Sequence, residues 1–171
     1  MADSSDYEVT VLTQPTNLSQ TCSVTNGTGT LDGANVDNVE VTCVTNTYTV
    51  GGTVSGMEGS GLVLHNNTGD DLAMDADGGF TFVTRLDDGS DYAVTVLTQP
   101  TNLSQVCTVT NEGGMLSGAD VTDVTVTCVT TTYTVGGTVS GLEGDGLVLQ
   151  NNAGDNFLVD IDGGFTFETP L

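Results

Sequence analysis

The chain contains no tryptophan and no lysine, and only one arginine (Arg85) and one histidine (His65) among its 171 residues. Nucleic acid is thereby excluded as a partner, because neutralising phosphates takes basic side chains. Hydrophobic runs are only a few residues long, so no segment reads as a membrane span. His65 is the sole histidine able to act as a base, and its counterpart 85 residues later is Gln150. It therefore reads as an exposed loop side chain and not as part of a nucleophile–base pair. The glycine-rich stretch from Gly51 to Gly61 lacks the lysine and following helix that a phosphate cradle requires. Nothing points to a cleft with raised-pKa carboxylates. The chain reads as a non-enzyme.

Acid is plentiful: 23 Asp and Glu residues give a formal charge of −22. High net charge with few aromatics is the usual signature of disorder. Here only 14% of residues are charged and the apolar residues alternate with period two, so a packed β core is the better account. The charge itself serves solubility, or suits a salty medium that screens self-repulsion.

The chain also repeats itself. Cys22 returns as Cys107, Cys43 as Cys128, Gly51 as Gly136 and Phe80 as Phe165, each 85 residues on, and Val11 to Gln20 reappears unaltered as Val96 to Gln105. Small repeated domains follow, not one large one. A domain of this size has a thin core and gains from a covalent staple. Cys22 with Cys43, and Cys107 with Cys128, each fall inside one period, which predicts one disulfide apiece. Closing a loop of about 20 residues contributes roughly 3 kcal/mol through the unfolded state. The competing reading is metal ligation, but these pairs lack CxxC spacing and a nearby histidine. Disulfides imply an oxidising, extracellular or cell-surface location. Met1 is followed by polar, acidic residues and no signal peptide, so the chain is expected to be a processed stretch of a longer secreted protein.

Within one period the pattern predicts seven short strands. They begin at Thr47, then run over 62–64, 72–75, 80–82, 92–97, 106–110 and 121–129. Gly51-Gly52 marks a bulge or close backbone approach, and Asp77-Gly78 a hairpin turn. Val124, Val126 and Cys128 share one face, so the Cys107–Cys128 bridge lies on the core side. Seven strands in 85 residues describe a two-sheet sandwich. The expected organisation is residues 2–45 as the last three strands of a split period, 46–130 as a complete one, and 131–171 as the first four strands of another. Unpaired edges at the two ends are sticky. They would be completed by a continuing array or by copies of the same chain joined head to tail, a contact that does not close and so builds a filament. A third reading frames each domain from the fifth strand of one period to the fourth of the next, giving two intact domains.

The residues Asp77-Gly78-Gly79-Phe80-Thr81-Phe82, then Leu86, then Gly89 to Val96, resemble the prealbumin-like sandwiches of bacterial surface proteins. These include carboxypeptidase-regulatory-like and collagen-adhesin B-type domains. The phrases YTVGGTVSGL, GLVLQNN and VTVTC resemble tandem Ig-like repeats of large secreted or adhesin-type bacterial proteins. The resemblance implies a structural or adhesive role, or a module whose loops recognise a glycan or a cell-surface protein. Adhesin B-type domains are often cross-linked by a lysine isopeptide bond. That bond is impossible here, and the disulfide looks like its substitute.

Strands that alternate in direction would place Glu58, Asp75 and Asp77 at one end of the complete period, facing Asn151, Asn152 and Asp155 of the next. Asp160 and Asp162 are the counterparts of Asp75 and Asp77. Converging oxygens of this kind suit Ca²⁺. The plainer reading of Asp-x-Asp-Gly is a hairpin turn, because Phe80 stands where an EF-hand loop requires glycine. Four Asn-x-Ser/Thr sequons, at Asn17, Asn26, Asn66 and Asn102, are candidate glycosylation sites.

Overall fold

The structure, a computed structural model, describes residues 4–67 and 69–168. Ala2 and Leu171, the outer bounds of the expected segments 2–45 and 131–171, and Thr68, the last residue of the Asn66 sequon, lie outside the described residues. The described chain is all-β with two disulfides and contains no helix. It divides into two compact units, one ending at Val129 and the other beginning at Thr130.

The first unit opens with β1 (Asp6–Glu8), β2 (Gln20–Thr25), β3 (Thr28–Thr30) and β4 (Glu40–Thr45). Strands β1 and β3 pair antiparallel, as do β2 and β4, where Cys22 sits opposite Cys43 and is bonded to it. The unit continues through β5 (Thr47–Tyr48), β6 (Val50–Ser55), β7 (Leu62–Asn66), β8 (Asp70–Met74) and β9 (Gly78–Thr81). It ends with β10 (Leu86–Asp87), β11 (Asp91–Thr98), β12 (Gln105–Thr110), β13 (Gly113–Met115) and β14 (Val121–Thr130).

Ten strands of the first unit thus fall after residue 45, and eight of them form two four-stranded sheets, ordered β13-β11-β7-β8 and β12-β14-β6-β9. Their inward residues meet in one core. Leu62, Leu64 and Val94 come from the first sheet, and Val50, Val54, Phe80, Val124 and Val126 from the second. The alternation in the sequence is what makes this possible, since period two sends every other side chain to the same face. Cys107 and Cys128 are buried on that face, joined to each other, as the strand pattern predicts. Phe80 and Phe82 pack edge to face at 5.7 Å.

Central strand β6 pairs antiparallel with β9 and parallel with β14. The close approach expected at Gly51-Gly52 is real: a Cβ on Gly52 would lie 1.7 Å from the Val124 carbonyl oxygen. Gly78 takes φ +149° at the hairpin turn, a conformation that side chains strongly disfavour. Three features differ from the sequence expectation. His65 and Asn66 belong to strand β7 and not to a loop, the third strand begins at Asp70, and short strands β10 and β13 are additional. The polar run His65-Asn66-Asn67 has a loop's composition, but its backbone is captured by β8 and β11 on either side.

The second unit holds β15 (Gly136–Val139), β16 (Leu147–Asn151), β17 (Asp155–Val159) and β18 (Gly163–Thr166). They form two hairpin-like pairs, β15 with β18 and β16 with β17. Phe165 lies 5.9 Å from Phe157 and 5.6 Å from Phe167, so three rings gather between the pairs.

The strand boundaries follow the sequence period. Strands β2 and β12 start and stop 85 residues apart, as do β3 and β13, β7 and β16, β8 and β17, and β9 and β18. The left-handed backbone positions do the same at Asn26 and Asn111, Asn67 and Asn152, and Gly56 and Gly141.

Candidate functional site

Two features stand out: the handover from one period to the next, and the exposed core-equivalent positions of the flanking segments. At the handover, β4 ends at Thr45 and β5 starts at Thr47, leaving Asn46 alone between them. Ser19 is the hub. Its amide donates to Asp88 Oδ2 at 2.5 Å, its carbonyl accepts the Asn46 amide at 2.9 Å, and its hydroxyl receives Asn46 Nδ2 at 2.7 Å and the Tyr48 hydroxyl at 3.1 Å. The Asp88 amide in turn donates to the Asn46 carbonyl at 2.9 Å.

Asp88 is buried, and its second carboxylate oxygen accepts the Gly118 amide at 2.7 Å. The Ser19 amide, then those of Gly118 and Gly89, hold its carboxyl below the usual value of 3.8, against a smaller upward push from burial. Beside it, a Cβ on Gly89 would lie 2.7 Å from Leu18 Cδ1, so Leu18 of the leading segment packs on the glycine. Leu18 itself has φ +107°, a strained conformation for a non-glycine residue. At the same end, Asp120 Oδ1 accepts the Thr49 amide at 2.7 Å. The Thr49 backbone and hydroxyl, and more weakly the Arg85 charge, lower the Asp120 pKa.

Two of the acidic residues singled out in the sequence, Asp77 and Asp162, have local duties. Both Asp77 oxygens are used, accepting the amides of Gly56 at 2.9 Å and Met57 at 2.8 Å. Asp162 does the same for Gly141 and Leu142, at 2.6 and 2.7 Å. Each carboxylate pins the turn that follows the first long strand of its period. Asp75 and Asp160 are exposed beside these turns, Glu58 is exposed with its amide bonded to Gln105 Oε1 at 2.9 Å, and Asp155 opens β17. Among the described residues no three His, Cys, Asp or Glu side chains gather as a metal site requires. No helix among them is long and apolar enough to cross a membrane.

His65 faces its cross-strand neighbour Asp71 and contacts it through Nδ1. In the second unit the same two positions hold Gln150 and Asn156, bonded at 2.8 Å. The position therefore carries a cross-strand polar pair in both periods, which is structural work. The Asn66 side chain is buried and accepts the Ala93 amide at 3.3 Å, so the folded chain leaves no room for a glycan there. Asn26 and Asn102 bond the Asn38 carbonyl and the Ser60 hydroxyl through their amide nitrogens, while Asn17 lies exposed in the segment before Leu18.

The open faces are plain when equivalent positions are compared. Val94, Val126 and Val50 are each 0% exposed inside the two-sheet core. Their counterparts Val9, Val41 and Val135 are 41%, 56% and 42% exposed. Val129 and Val44, on the outer face, are exposed alike at 64% and 65%. A shallow groove of about 500 Å³ runs along Val9 to Val11 and Cys22 to Thr28. Another, of about 270 Å³, lies over Phe157, Ile161 and Phe165 in the second unit.

A scan against protein-family models, a search of curated proteins and a search of solved structures each found no match to this chain.

Proposed function

We propose that the chain is a non-catalytic structural element of an extracellular bacterial filament or surface protein. It is built of disulfide-stapled, Ig-like β-sandwich repeats joined head to tail. The observation that carries this reading is the core-position contrast: residues that are sealed within 46–130 stand open at the same positions on either side. Two disulfides fit an oxidising compartment. The Ser19–Asn46–Asp88 network supports a stiff handover between repeats, because a one-residue connection bonded on both sides leaves little freedom to bend. Reduced to essentials, the function is mechanical: length and rigidity, with acid on the surface for solubility.

Negative-stain micrographs and small-angle scattering of the purified chain test the proposal. Thin rods that lengthen with protein concentration are expected. They should lengthen further when added salt shortens the Debye length below about 10 Å and screens the charge between neighbours. Compact particles of constant size at all concentrations and salts would rule it out.

A further inference from the structure

The open faces are not generic apolar patches, because the chain contains its own picture of what covers them. Residues 46–130 hold both halves of the arrangement closed together. There β7 pairs antiparallel with β11, and β6 pairs parallel with β14. Segment 4–45 carries the counterparts of β11 to β14, and segment 133–168 those of β6 to β9. Core-equivalent positions stand exposed in both segments, Val9 and Val41 in the first and Val135 in the second, while Phe167 is covered within its own segment.

We infer that segment 133–168 of one copy of this chain seats on segment 4–45 of a second copy, in the register that joins the equivalent strands within 46–130. The inference rests on the reading of the chain as a self-associating structural element. Val94 opposite Asn66, Thr95 opposite His65 and Val96 opposite Leu64 translate to Val9 opposite Asn151, Thr10 opposite Gln150 and Val11 opposite Leu149. On the other sheet, Val126 beside Val54 translates to Val41 beside Val139.

Three details favour this occupant over an unrelated protein. Gly137 is retained where Gly52 allows the backbone of the neighbouring strand to approach, so Val39 can take the place of Val124. Asn151 is retained where buried Asn66 receives the Ala93 amide, and Glu8 supplies the equivalent amide. The register is set by period-two alternation, and a slip by one residue would turn Val9 and Val41 outward together. A bare edge would accept almost any strand. An edge flanked by these side chains prefers one.

The test uses two single variants of the full chain, Thr10→Cys and Gln150→Cys, mixed in equal amounts and oxidised. Peptide mapping then identifies the new link. Placing one cysteine on each chain means that only contact between copies can join positions 10 and 150. The control mixture replaces Gln150→Cys with Leu158→Cys, on a strand outside the inferred pair. The 10–150 link is expected to exceed the 10–158 link at least tenfold and to grow with protein concentration. Rods without an excess of the 10–150 link overturn the inferred register while leaving the structural role standing. Monomers without any link overturn both. A third sample carries Thr10→Cys and Gln150→Cys in one chain; a 10–150 link that forms there in the monomer and not in the mixture of single variants shows the chain closing on itself and overturns assembly between copies.

Discussion

Asp88 accepts the amide proton of Ser19 across 69 residues of sequence, and this bond spans the point where one 85-residue period gives way to the next. A carboxylate that receives backbone amides from both sides of a handover fixes the angle between them, because moving either side leaves a buried acceptor unmet. The acid is thus placed to act as a hinge pin. It also has a pH signature.

Asp88→Asn replaces an acceptor-only group with one that must present an amide to an amide. The folded-state pKa of Asp88 lies below its ordinary 3.8, so it contributes stability that is complete above that value and disappears as the pH falls through the lower folded one. The wild type is expected to melt above Asp88→Asn near neutral pH, with the gap closing as the pH falls below 3.8 and on through the lower folded value. Melting curves across that range decide it, and a gap that stays constant with pH would remove the role assigned to the charge.

The two turn-pinning acids are a second case. Asp77→Ala frees the amides of Gly56 and Met57, and losing bonds to a charged acceptor costs about 1–3 kcal/mol. Asp75→Ala, two residues away on the exposed turn, is expected to stay within about 0.5 kcal/mol of wild type. Denaturant titration of both variants measures the difference. Equal effects would mean that the local charge matters and the turn bonds do not.

Legibility in the sequence followed the range of the interaction. The disulfide pairing, the core face of Val124, Val126 and Cys128, the crowded Gly52 and the Asp77-Gly78 hairpin are all written in local spacing or alternation, and the structure has them there. His65 reads as a loop residue because a His-Asn-Asn run has a loop's composition, while its conformation is decided by two strands it meets only in the fold. Ser19 and Asp88 left no signal at all, since one partner contributes a backbone amide and a serine or aspartate in a turn is ordinary. Asp77 stands out in the sequence as an acid of interest, but its partners are again backbone groups, which composition does not mark.

Val41 and Val126 occupy the same position in successive periods, yet one is 56% exposed and the other 0%. Val126→Asp buries an unpaired carboxylate in the core and is expected to cost more than about 3 kcal/mol, enough to unfold the first unit at moderate temperature. Val41→Asp is expected to leave the monomer within about 0.5 kcal/mol of wild type and to abolish association. Sedimentation velocity combined with melting separates the two effects. Undiminished association of the Val41→Asp chain would exclude this face from the contact.

The two disulfides carry the same contrast into chemistry. Cys107 and Cys128 are buried, whereas Cys43 is exposed and Cys22 half-buried. Thiol–disulfide exchange needs access for the attacking thiolate, so a limiting reductant is expected to open Cys22–Cys43 several times faster than Cys107–Cys128 in dilute protein. Raising the protein concentration should erase most of that difference, because a second copy seated on segment 4–45 would cover the exposed bridge as the closed core covers the buried one. Timed reduction, trapping with an alkylating reagent and mass mapping of the four cysteines give both rates in one experiment. A ratio that does not change with concentration would show that nothing comes to rest on this face, whatever filaments the chain forms by other means.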